Sequence, residues 1–407
     1  MVSFTWRGWV EQKFARRVRS ARSSRRPMIR SPQIEPLELR LVLTSITVTE
    51  SGMGNDGNGV GPGKDGSWSL LEAIEFIDSQ GGSGDTITLA TNVTVSGALP
   101  AITEDDFTLV GGGFTITGGG LEIDGDNANV SNVTFQNSSD SSLVINGNNA
   151  VLDKVTASGA AGDSISITGD NAKVTGTKSF NNGGSGLIIE GNSATVGGTS
   201  SSDQVILYGA GSPTSVQLAI IGNSGLVEGD LIGTKDGTTA SNSGIGLYIQ
   251  GASNTIGGTS SSARNIISGN GGQGVEIHEV ESVDNLVEGN YIGVDSSGSK
   301  ALGNLGSGIS IGFGATNNTV GGTSSDEQNV ISGNGLDGVA IGESGTKGNL
   351  VEGNLIGTDV SGTKAIGNGL QNGFFGVEIL DGAQNNTIGG TADGALNVIS
   401  GNYAGIG

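Results

Sequence analysis

A run of apolar residues with a fixed period constrains the fold of this chain more than any other feature. The triplet Leu121-Glu122-Ile123 is followed by similar triplets at steps of 22 residues, and a second apolar row keeps the same step. A fixed period of this length without heptads is typical of a solenoid, in which each repeat stacks on its neighbours. The first row comprises Leu121, Leu143, Ile165 and Leu187, and the second comprises Val130, Leu152, Val174 and Val196.

After residue 190 the repeats become longer through insertions. Each repeat contains three short β-branched strand signals separated by Gly-Asn or Gly-Gly corners, which predicts a triangular coil of parallel strands. The repeats lack the LxxLxLxxN signature of a leucine-rich horseshoe and the antiparallel hairpins of a propeller blade. Later coils start at Leu218, Leu247, Val275, Ile309, Val339 and Val377, which makes about ten coils in all.

We therefore predict an all-β fold, a single-stranded right-handed parallel β-helix, because parallel crossovers are overwhelmingly right-handed. The composition agrees, since 76 glycines and six prolines without a three-residue period exclude both a helical bundle and collagen. Glycine, asparagine and aspartate suit the tight corners of such a coil. One corner carries Asp or Asn in five successive coils and predicts an internal polar ladder of Asp126, Asn148, Asp170, Asn192 and Asn223.

The segment before the coils predicts a short capping helix and strands. Residues 70–77 have apolar positions three and four apart, with Ser67 or Ser69 as the N-cap, and residues 84–89 follow as a strand. The stretches 66–74 and 84–89 resemble the CSLREA-type domain that precedes parallel β-helices in exported bacterial proteins, although the family's Cys is Trp68 here and its Arg is Leu71. The coils resemble the pectate-lyase-like superfamily. These resemblances imply a cap at residues 46–119 and coils at 120–407, which we expect to be incomplete at the C-terminus.

Charge divides the chain into two parts. Residues 1–40 hold 10 of the 19 Lys and Arg but three of the 40 Asp and Glu, a net charge of +7, so the remainder carries −28. We predict that residues 1–45 form a disordered basic export segment, because residues 34–45 are similar to a segment that follows a basic stretch in planctomycete proteins thought to be extracellular. The acidic body repels nucleic acid and anionic membranes, and no stretch reaches the 18 apolar residues of a membrane span. We expect an extracellular or cell-surface location.

Catalytic carboxylates are hard to pair in this sequence. Glu276 and Glu378 fall three coils apart on the first strand, about 14 Å at ~4.8 Å per coil, which exceeds the separation in glycosidases. Glu228, Glu288 and Glu352 recur on alternate coils and predict an acidic ridge with glycine between its members. The single histidine, His278, shows no Ser and acid neighbour in sequence, so we predict a surface residue and no acyl-transfer triad. We name no catalytic residue.

Binding is the function that the sequence favours. Aromatic rings in the later coils provide the flat faces that sugars bind, although rings that fill the coil interior are the alternative. The residues that we assign to ligand binding are Tyr248, Glu276, Tyr291, Glu228, Glu288 and Glu352. We predict a structural, adhesive or glycan-binding module; the alternative is a polysaccharide lyase or glycoside hydrolase of the pectate-lyase-like type.

Partners and cofactors follow from the same features. We expect a polysaccharide or cell-surface component as the partner, and end-to-end stacking through the last coil is a second expectation.

Two loops, residues 55–65 and residues 81–85, carry the oxygen ligands that calcium prefers. The first loop lacks the pattern of an EF-hand, and the second is out of the nonapeptide register. We therefore interpret both as turns and predict no cofactor, with calcium as the alternative.

Overall fold

The chain winds into a solenoid with three long parallel sheets. The computed structural model describes residues 44–54, 62, 65–371 and 373–407, which all belong to one compact unit, Leu41–Gly407. Apart from Thr44 and Ser45, the predicted export segment lies outside the described residues. Each sheet takes one short strand from each coil, so the strands of a sheet lie far apart in the sequence.

We name the sheets A, B and C, and give their strands in stacking order. Sheet A contains Ser45–Val48, Thr86–Leu89, Thr108–Val110, Asn129–Ser131, Val151–Asp153, Lys173–Thr175, Thr195–Gly197, Leu226–Glu228, Thr255–Gly257, Leu286–Glu288, Thr319–Gly321, Leu350–Glu352 and Thr387–Ile388. Sheet B contains Val93–Thr94, Thr115–Thr117, Thr134–Gln136, Thr156–Ser158, Lys178–Phe180, Ile206–Tyr208, Leu231–Ile232, Ile266–Ile267, Tyr291–Ile292, Val330–Ile331, Leu355–Ile356 and Val398–Ile399. Sheet C contains Leu121–Ile123, Leu143–Ile145, Ile165–Ile167, Leu187–Ile189, Val216–Ile220, Ile245–Ile249, Val275–Ile277, Ile309–Ile311, Val339–Ile341, Phe375–Ile379 and Ala404–Ile406.

The interior is a set of apolar stacks that follow the strand register. In sheet A, Val130, Leu152, Val174 and Val196 are aligned from coil to coil and have no exposed surface. All ten predicted coil starts lie in strands of sheet C, and an eleventh strand, Ala404–Ile406, pairs with Phe375–Ile379. The predicted fold class, an all-β right-handed parallel β-helix with a short N-terminal helix, is confirmed.

The helix, Leu70–Gln80, begins at one of the two predicted caps. The Ser69 side chain accepts a hydrogen bond from the Glu72 amide, and the Glu72 carboxylate accepts one from the Ser69 amide, which completes a capping box. The helix ends at Gly81, whose φ of 62° suits glycine. Its buried residues share one hydrophobic core with Ile46 and Val48 of sheet A. Sheets A and B begin before residue 120 and sheet C begins at Leu121, so the predicted cap contributes strands to the solenoid itself.

Three ladders of buried asparagine amides run along the inside of the corners. In each ladder one Asn Nδ2 donates to the Oδ1 of the next coil's Asn and, in most coils, to a backbone carbonyl of an earlier coil, as for Asn290 and Asn329. The ladder between sheets A and B comprises Asn265, Asn290, Asn329, Asn354 and Asn397; that between B and C comprises Asn270, Asn304, Asn334, Asn368 and Asn402; that between C and A comprises Asn254, Asn285, Asn318, Asn349 and Asn386. Buried polar groups need such partners, so the ladders fix coil spacing and register.

The ladder predicted from the earlier coils exists, but on the outside. Asn148 donates its backbone and side-chain N–H groups to Asp126 Oδ1, and the same pattern continues through Asp170, Asn192 and Asn223. These side chains are exposed or half-buried, so the expectation of an internal ladder at these positions is wrong. The reason is the position within the corner: the buried ladder residue Asn254 directly precedes a strand of sheet A, whereas Asn223 and its row lie two residues earlier in the turn.

An internal ladder residue should matter much more to stability than an external one. We expect Asn329→Ala to lower the free energy of unfolding by about 2–4 kcal/mol, because it leaves buried N–H and C=O groups of two adjacent coils without partners. Asn148→Ala, at the external ladder, should cost less than ~1 kcal/mol. Urea denaturation of both variants measures this, and equal midpoints would contradict the assignment.

Glu104 is a buried acid in the N-terminal coils. Its side chain is 5% exposed and its Oε1 accepts a hydrogen bond of 2.8 Å from the Asp85 amide. Burial is the main cause that raises the pKa of Glu104 to about 7; the carboxyl groups of Asp85 and Asp78 contribute to the rise, and the hydrogen bond from the Asp85 amide opposes it. The folded state therefore holds a proton on this group that the unfolded chain releases above its ordinary pKa.

The stability of the N-terminal coils should consequently decrease as pH rises. The contribution of protonated Glu104 is fully present below the ordinary pKa of 4.5 and is lost as pH rises through about 7. We expect the wild-type chain to lose stability between pH 5 and 8 relative to Glu104→Gln, which keeps a neutral side chain throughout. Glu122→Gln, at an exposed position, serves as the control, and parallel pH profiles of all three proteins would refute the prediction.

Candidate functional site

The six residues predicted to bind ligand lie on three different sheets. Glu228, Glu288 and Glu352 end strands of sheet A, Tyr291 begins a strand of sheet B, and Tyr248 and Glu276 lie in sheet C. Within one solenoid the faces of different sheets point away from each other. The structure therefore does not unite them in one site, and only Tyr248 and Glu276 are neighbours.

The sheet A glutamates form the predicted alternating row. Glu228 lies next to Gly257 in register, Gly257 next to Glu288, and Gly321 next to Glu352. Glu288 is buried, and burial together with the charge of Glu327 raises its pKa. The row stays a candidate ridge of acids. Within the part of the chain that the structure describes, no hydrogen bond or ring contact links the three carboxyl groups to another side chain.

Tyr291 is unavailable to a ligand. Its side chain is 5% exposed on the outward face of sheet B, where a second apolar cluster forms beneath three hairpin loops at residues 234–240, 294–301 and 358–365. The Arg264 guanidinium lies 4.2 Å from the centre of its ring. The ring thus packs under covering loops, which is the alternative that the sequence left open for such aromatics.

On sheet C, by contrast, polar and aromatic side chains gather on the outward face. Cross-strand register places Tyr248 beside Glu276, and Glu276 beside Ser310. His278 lies two residues after Glu276, so its side chain points to the same outward face of the strand. We call the cluster of Tyr248, Glu276, His278, Ser310 and Phe313 the sheet C patch.

The imidazole of His278 joins the members of this patch. Its Nε2 lies 3.1 Å from Ser310 Oγ, and its Nδ1 lies 3.8 Å from Glu276 Oε2. The ring of Phe313 meets the imidazole edge-on, with 4.9 Å between ring centroids. The prediction that His278 is a surface residue is wrong, because 86% of its side chain surface is covered, leaving 14% exposed.

Burial dominates the electrostatics of the sheet C patch. It lowers the pKa of His278 to about 4, so the imidazole is neutral at ordinary pH, and it raises the pKa of Glu276. Burial also raises the pKa of Tyr248, with added effects from Glu279, Glu276 and Glu281. All three shifts favour uncharged forms, as expected where water is partly excluded.

The Gly312 backbone and the Glu343 carboxyl group lie close to the imidazole. Gly312 lies in register with His278, and a Cβ at this position would lie 3.4 Å from His278 Nε2 and 3.2 Å from Glu343 Oε2. That same glutamate oxygen accepts a hydrogen bond of 2.8 Å from the Phe313 amide. Phe313 adopts a φ of 52°, a conformation that is costly for a bulky residue and that clusters at functional sites.

The sheet C patch thus places a hydroxyl within hydrogen-bond distance of a neutral imidazole, with a carboxyl group 3.8 Å from the other ring nitrogen. The prediction that no Ser and acid accompany the histidine is corrected, because residues 276 and 310 become neighbours only when coils stack. The sequence contained one usable signal. Aligning the coil starts puts Glu276 and Ser310 in consecutive positions of one outward row, with His278 two residues from the first.

A pair of carboxyl groups, Asp337 and Glu378, lies further along sheet C. Glu378 hydrogen-bonds to Asp337, whose Oδ1 also accepts a bond of 2.7 Å from the Phe375 amide. Burial raises the pKa of both groups, and the proximity of Asp337 raises that of Glu378 further. Carboxyl groups in direct hydrogen-bond contact are closer than either type of glycosidase pair requires.

Among the described residues, no group of three or more His, Cys, Asp or Glu side chains is arranged to hold a metal ion. Most of residues 55–65, which the sequence predicts as a turn with calcium binding as the alternative, lie outside the described residues. No helix in the described part of the chain is long and apolar enough to cross a membrane.

The comparisons with known proteins show similarity in backbone fold and not in sequence family. No family model and no curated protein sequence matches the chain. Among solved structures, the A-module of the Azotobacter vinelandii mannuronan C-5 epimerase AlgE6 is 16% identical in sequence, with a TM-score of 0.46; the match covers 82% of this chain and 94% of the A-module. The A-module of AlgE4 from the same organism is 16% identical, with a TM-score of 0.45; the match covers 86% of this chain and 95% of that module. Pectate lyase Pel9A is 13% identical, with a TM-score of 0.41; the match covers 85% of this chain and 79% of the lyase. Similarity at this level carries no information on the chemistry of this chain.

The protonation state of His278 can be measured directly, because the chain has one histidine. We expect its NMR pH titration to have a midpoint near 4, and Phe313→Ala to move the midpoint up toward 6.5, since removing the ring readmits water. Tyr403→Ala, at an exposed ring outside the patch, should leave the midpoint unchanged. A wild-type midpoint at or above 6.5 would show that the imidazole is not desolvated.

Proposed function

We propose that this chain is an extracellular β-helix protein that binds a neutral glycan at the sheet C patch. The observation that carries the proposal is the juxtaposition of two aromatic rings with three hydrogen-bonding side chains on one outward face. Sugar recognition combines stacking on aromatic faces with a few oriented polar groups. The β-helix fold itself supports carbohydrate-related function in general terms and says nothing of the particular ligand.

The dimensions of the sheet C patch suit a linear polymer. Tyr248 and Ser310 lie two coils apart, which is about 9.6 Å along the solenoid axis, and the patch continues to Glu343 one coil further. Tyr248 is half-buried and Phe313 is 52% exposed, so the ring of Phe313 is open to a ligand while Tyr248 is held in place by its surroundings. A glycan lying along the axis would contact both rings in turn.

Charge favours a neutral glycan over an acidic one. Burial raises the pKa of Tyr248, the nearby carboxyl groups of Glu279, Glu276 and Glu281 add to that effect, and Glu343 lies beside Phe313. The ion pairs within 4.0 Å in the described part of the chain are Lys154–Asp153 and His278–Glu276, so the acids of the patch have no Lys or Arg partner at that distance. An acidic sugar would meet uncompensated repulsion at this face.

The location and partner follow from the same proposal. An exported solenoid with a net charge of −28 outside its basic N-terminal segment would stay soluble and present the patch to a polysaccharide or another surface component. The CSLREA-type cap and the planctomycete-type segment support export by resemblance. The alternative of a polysaccharide lyase or glycoside hydrolase has less support, because the carboxyl pair on sheet C, Asp337–Glu378, is too close for glycoside hydrolysis.

Removing an aromatic ring should weaken glycan binding. We expect Tyr248→Ala and Phe313→Ala each to reduce the affinity for a neutral polysaccharide such as xylan by about 10-fold or more, because each removes a stacking face. Tyr403→Ala, whose ring is 64% exposed outside the patch, is the matched control and should bind like wild type. Affinity electrophoresis or calorimetry with neutral and uronate-containing polysaccharides measures this. Tighter binding of the acidic polymer, or equal loss in the control, would contradict the proposal.

A further inference from the structure

We propose that Ser310, His278 and Glu276 form an acyl-transfer site that hydrolyses O-acyl esters, such as acetyl esters, carried by the bound glycan. The inference rests on the proposed function for its substrate class, since the ester would be presented by a glycan lying on the sheet C patch. It goes beyond binding, because it assigns a covalent reaction to residues that touch the ligand.

The geometry meets the requirements for a nucleophile and its base. Ser310 Oγ is 3.1 Å from His278 Nε2, which is within hydrogen-bond reach, and Glu276 Oε2 is 3.8 Å from the opposite ring nitrogen. Ser310 is half-buried and therefore accessible, whereas Glu276 is 8% exposed. The hydroxyl is therefore open to a ligand, and the more deeply buried carboxyl group lies 3.8 Å from the imidazole, near enough to contact it through a small movement of either side chain.

The same outward row supplies an internal comparison. Ser166 occupies the equivalent position several coils earlier, but its neighbours in register are Val144 and Ile188. No base or acid therefore flanks it in sheet C. A serine at this position of a coil is ordinary, and the addition of His278 and Glu276 is what distinguishes Ser310.

A donor for the developing oxyanion is also present. The Phe313 amide donates to Glu343 Oε2, and that oxygen lies 3.2 Å from the point where a Cβ on Gly312 would be. The same point is 3.4 Å from His278 Nε2. A carboxyl oxygen thus already accepts a hydrogen bond from a backbone donor beside the imidazole. We assign the Phe313 amide to the carbonyl oxygen of the ester, which takes this donor when the Glu343 side chain moves aside.

The reaction balances with water as the only co-reactant. Ser310 Oγ attacks the carbonyl carbon while its proton passes to His278 Nε2, and the C–O bond to the sugar breaks as the imidazolium returns that proton to the sugar oxygen. Water then attacks the acyl-Ser310 ester and gives its proton to His278. The acyl group leaves as a carboxylic acid, and Ser310 regains its hydroxyl. Glu276 is a positioning residue, and its carboxylate form stabilises the imidazolium when that charge develops beside it.

The test uses the full chain with p-nitrophenyl acetate and acetylated xylan as substrates, and a fluorophosphonate as a covalent probe. We expect the wild-type chain to release acetate and to be labelled at Ser310, as located by mass spectrometry. Ser310→Ala and His278→Ala should lose about 10³-fold or more of the activity, and Ser310→Ala should lose the label. Ser166→Ala, the matched control, should keep both.

Glu276 is tested through readouts that a purely structural role would not move. Glu276→Gln should lower kcat about 10²- to 10⁴-fold with little change in KM, and Glu276→Asp, which retains a carboxylate, should recover part of the loss. Glu343→Ala should raise kcat/KM, since it frees the Phe313 amide; a fall would overturn the assignment of that donor.

Binding and hydrolysis can fail separately. Ser310→Ala keeps both stacking rings and should lose far less xylan affinity than Tyr248→Ala or Phe313→Ala, so complete loss of turnover with most of the binding retained supports the acyl-transfer site. Absence of both acetate release and Ser310 labelling in a folded, xylan-binding wild-type chain overturns it while leaving the proposed function intact. Labelling that persists in Ser310→Ala also overturns it. Failure of wild-type binding with retained ester hydrolysis would instead refute the glycan-binding proposal.

Discussion

The stacking of each coil on the next, in strict register at one strand spacing, is the constraint on which the rest of this structure depends. Parallel strands from successive coils satisfy one another's backbone groups, while the corners rely on amide ladders such as Asn265, Asn290 and Asn329. Each ladder amide bonds in most coils both to the next amide and to a carbonyl of an earlier coil. A shift by one residue would therefore break buried hydrogen bonds in every coil at once.

The same register determines which glycine positions are essential. A side chain at Gly257 or Gly321 would collide with the backbone oxygen of the next glutamate and with a ladder amide. Both residues also have φ near +90°, which favours glycine. Packing at the corner thus explains the glycines in the alternation of Glu and Gly along sheet A, and the glutamates between them stay a candidate ridge of acids.

The register also builds the sheet C patch. Tyr248, Glu276 and Ser310 come from three coils that are 28 and 34 residues apart in the chain, yet they are adjacent in sheet C because each occupies the same position of its strand. A rigid stack holds such side chains without help from mobile loops, as preorganised sites require. The burial that this packing produces keeps His278 neutral, which a general base needs.

Much of the fold was predictable. The 22-residue period identifies the solenoid, and the ten coil starts fall in sheet C, because a period-two pattern repeated at a fixed step leaves few alternatives. The polar ladder was predicted at a true ladder but on the wrong side of the corner. The decision between inside and outside depends on the turn at each corner, and a sequence of Asn, Asp and Gly does not specify that turn uniquely.

By itself, then, the sequence determined the architecture: parallel coils, a capping helix after Ser69, apolar stacks inside and an acidic exterior. Only the tertiary structure decided which outward residues meet. It buried Tyr291 under hairpin loops, separated the glutamates of sheet A from the aromatics of sheet C, and placed His278 between Ser310 and Glu276. The physical reason is that insertions change the sequence distance between coils while stacking keeps their spatial distance constant, so neighbours across coils are fixed by register and not by sequence separation.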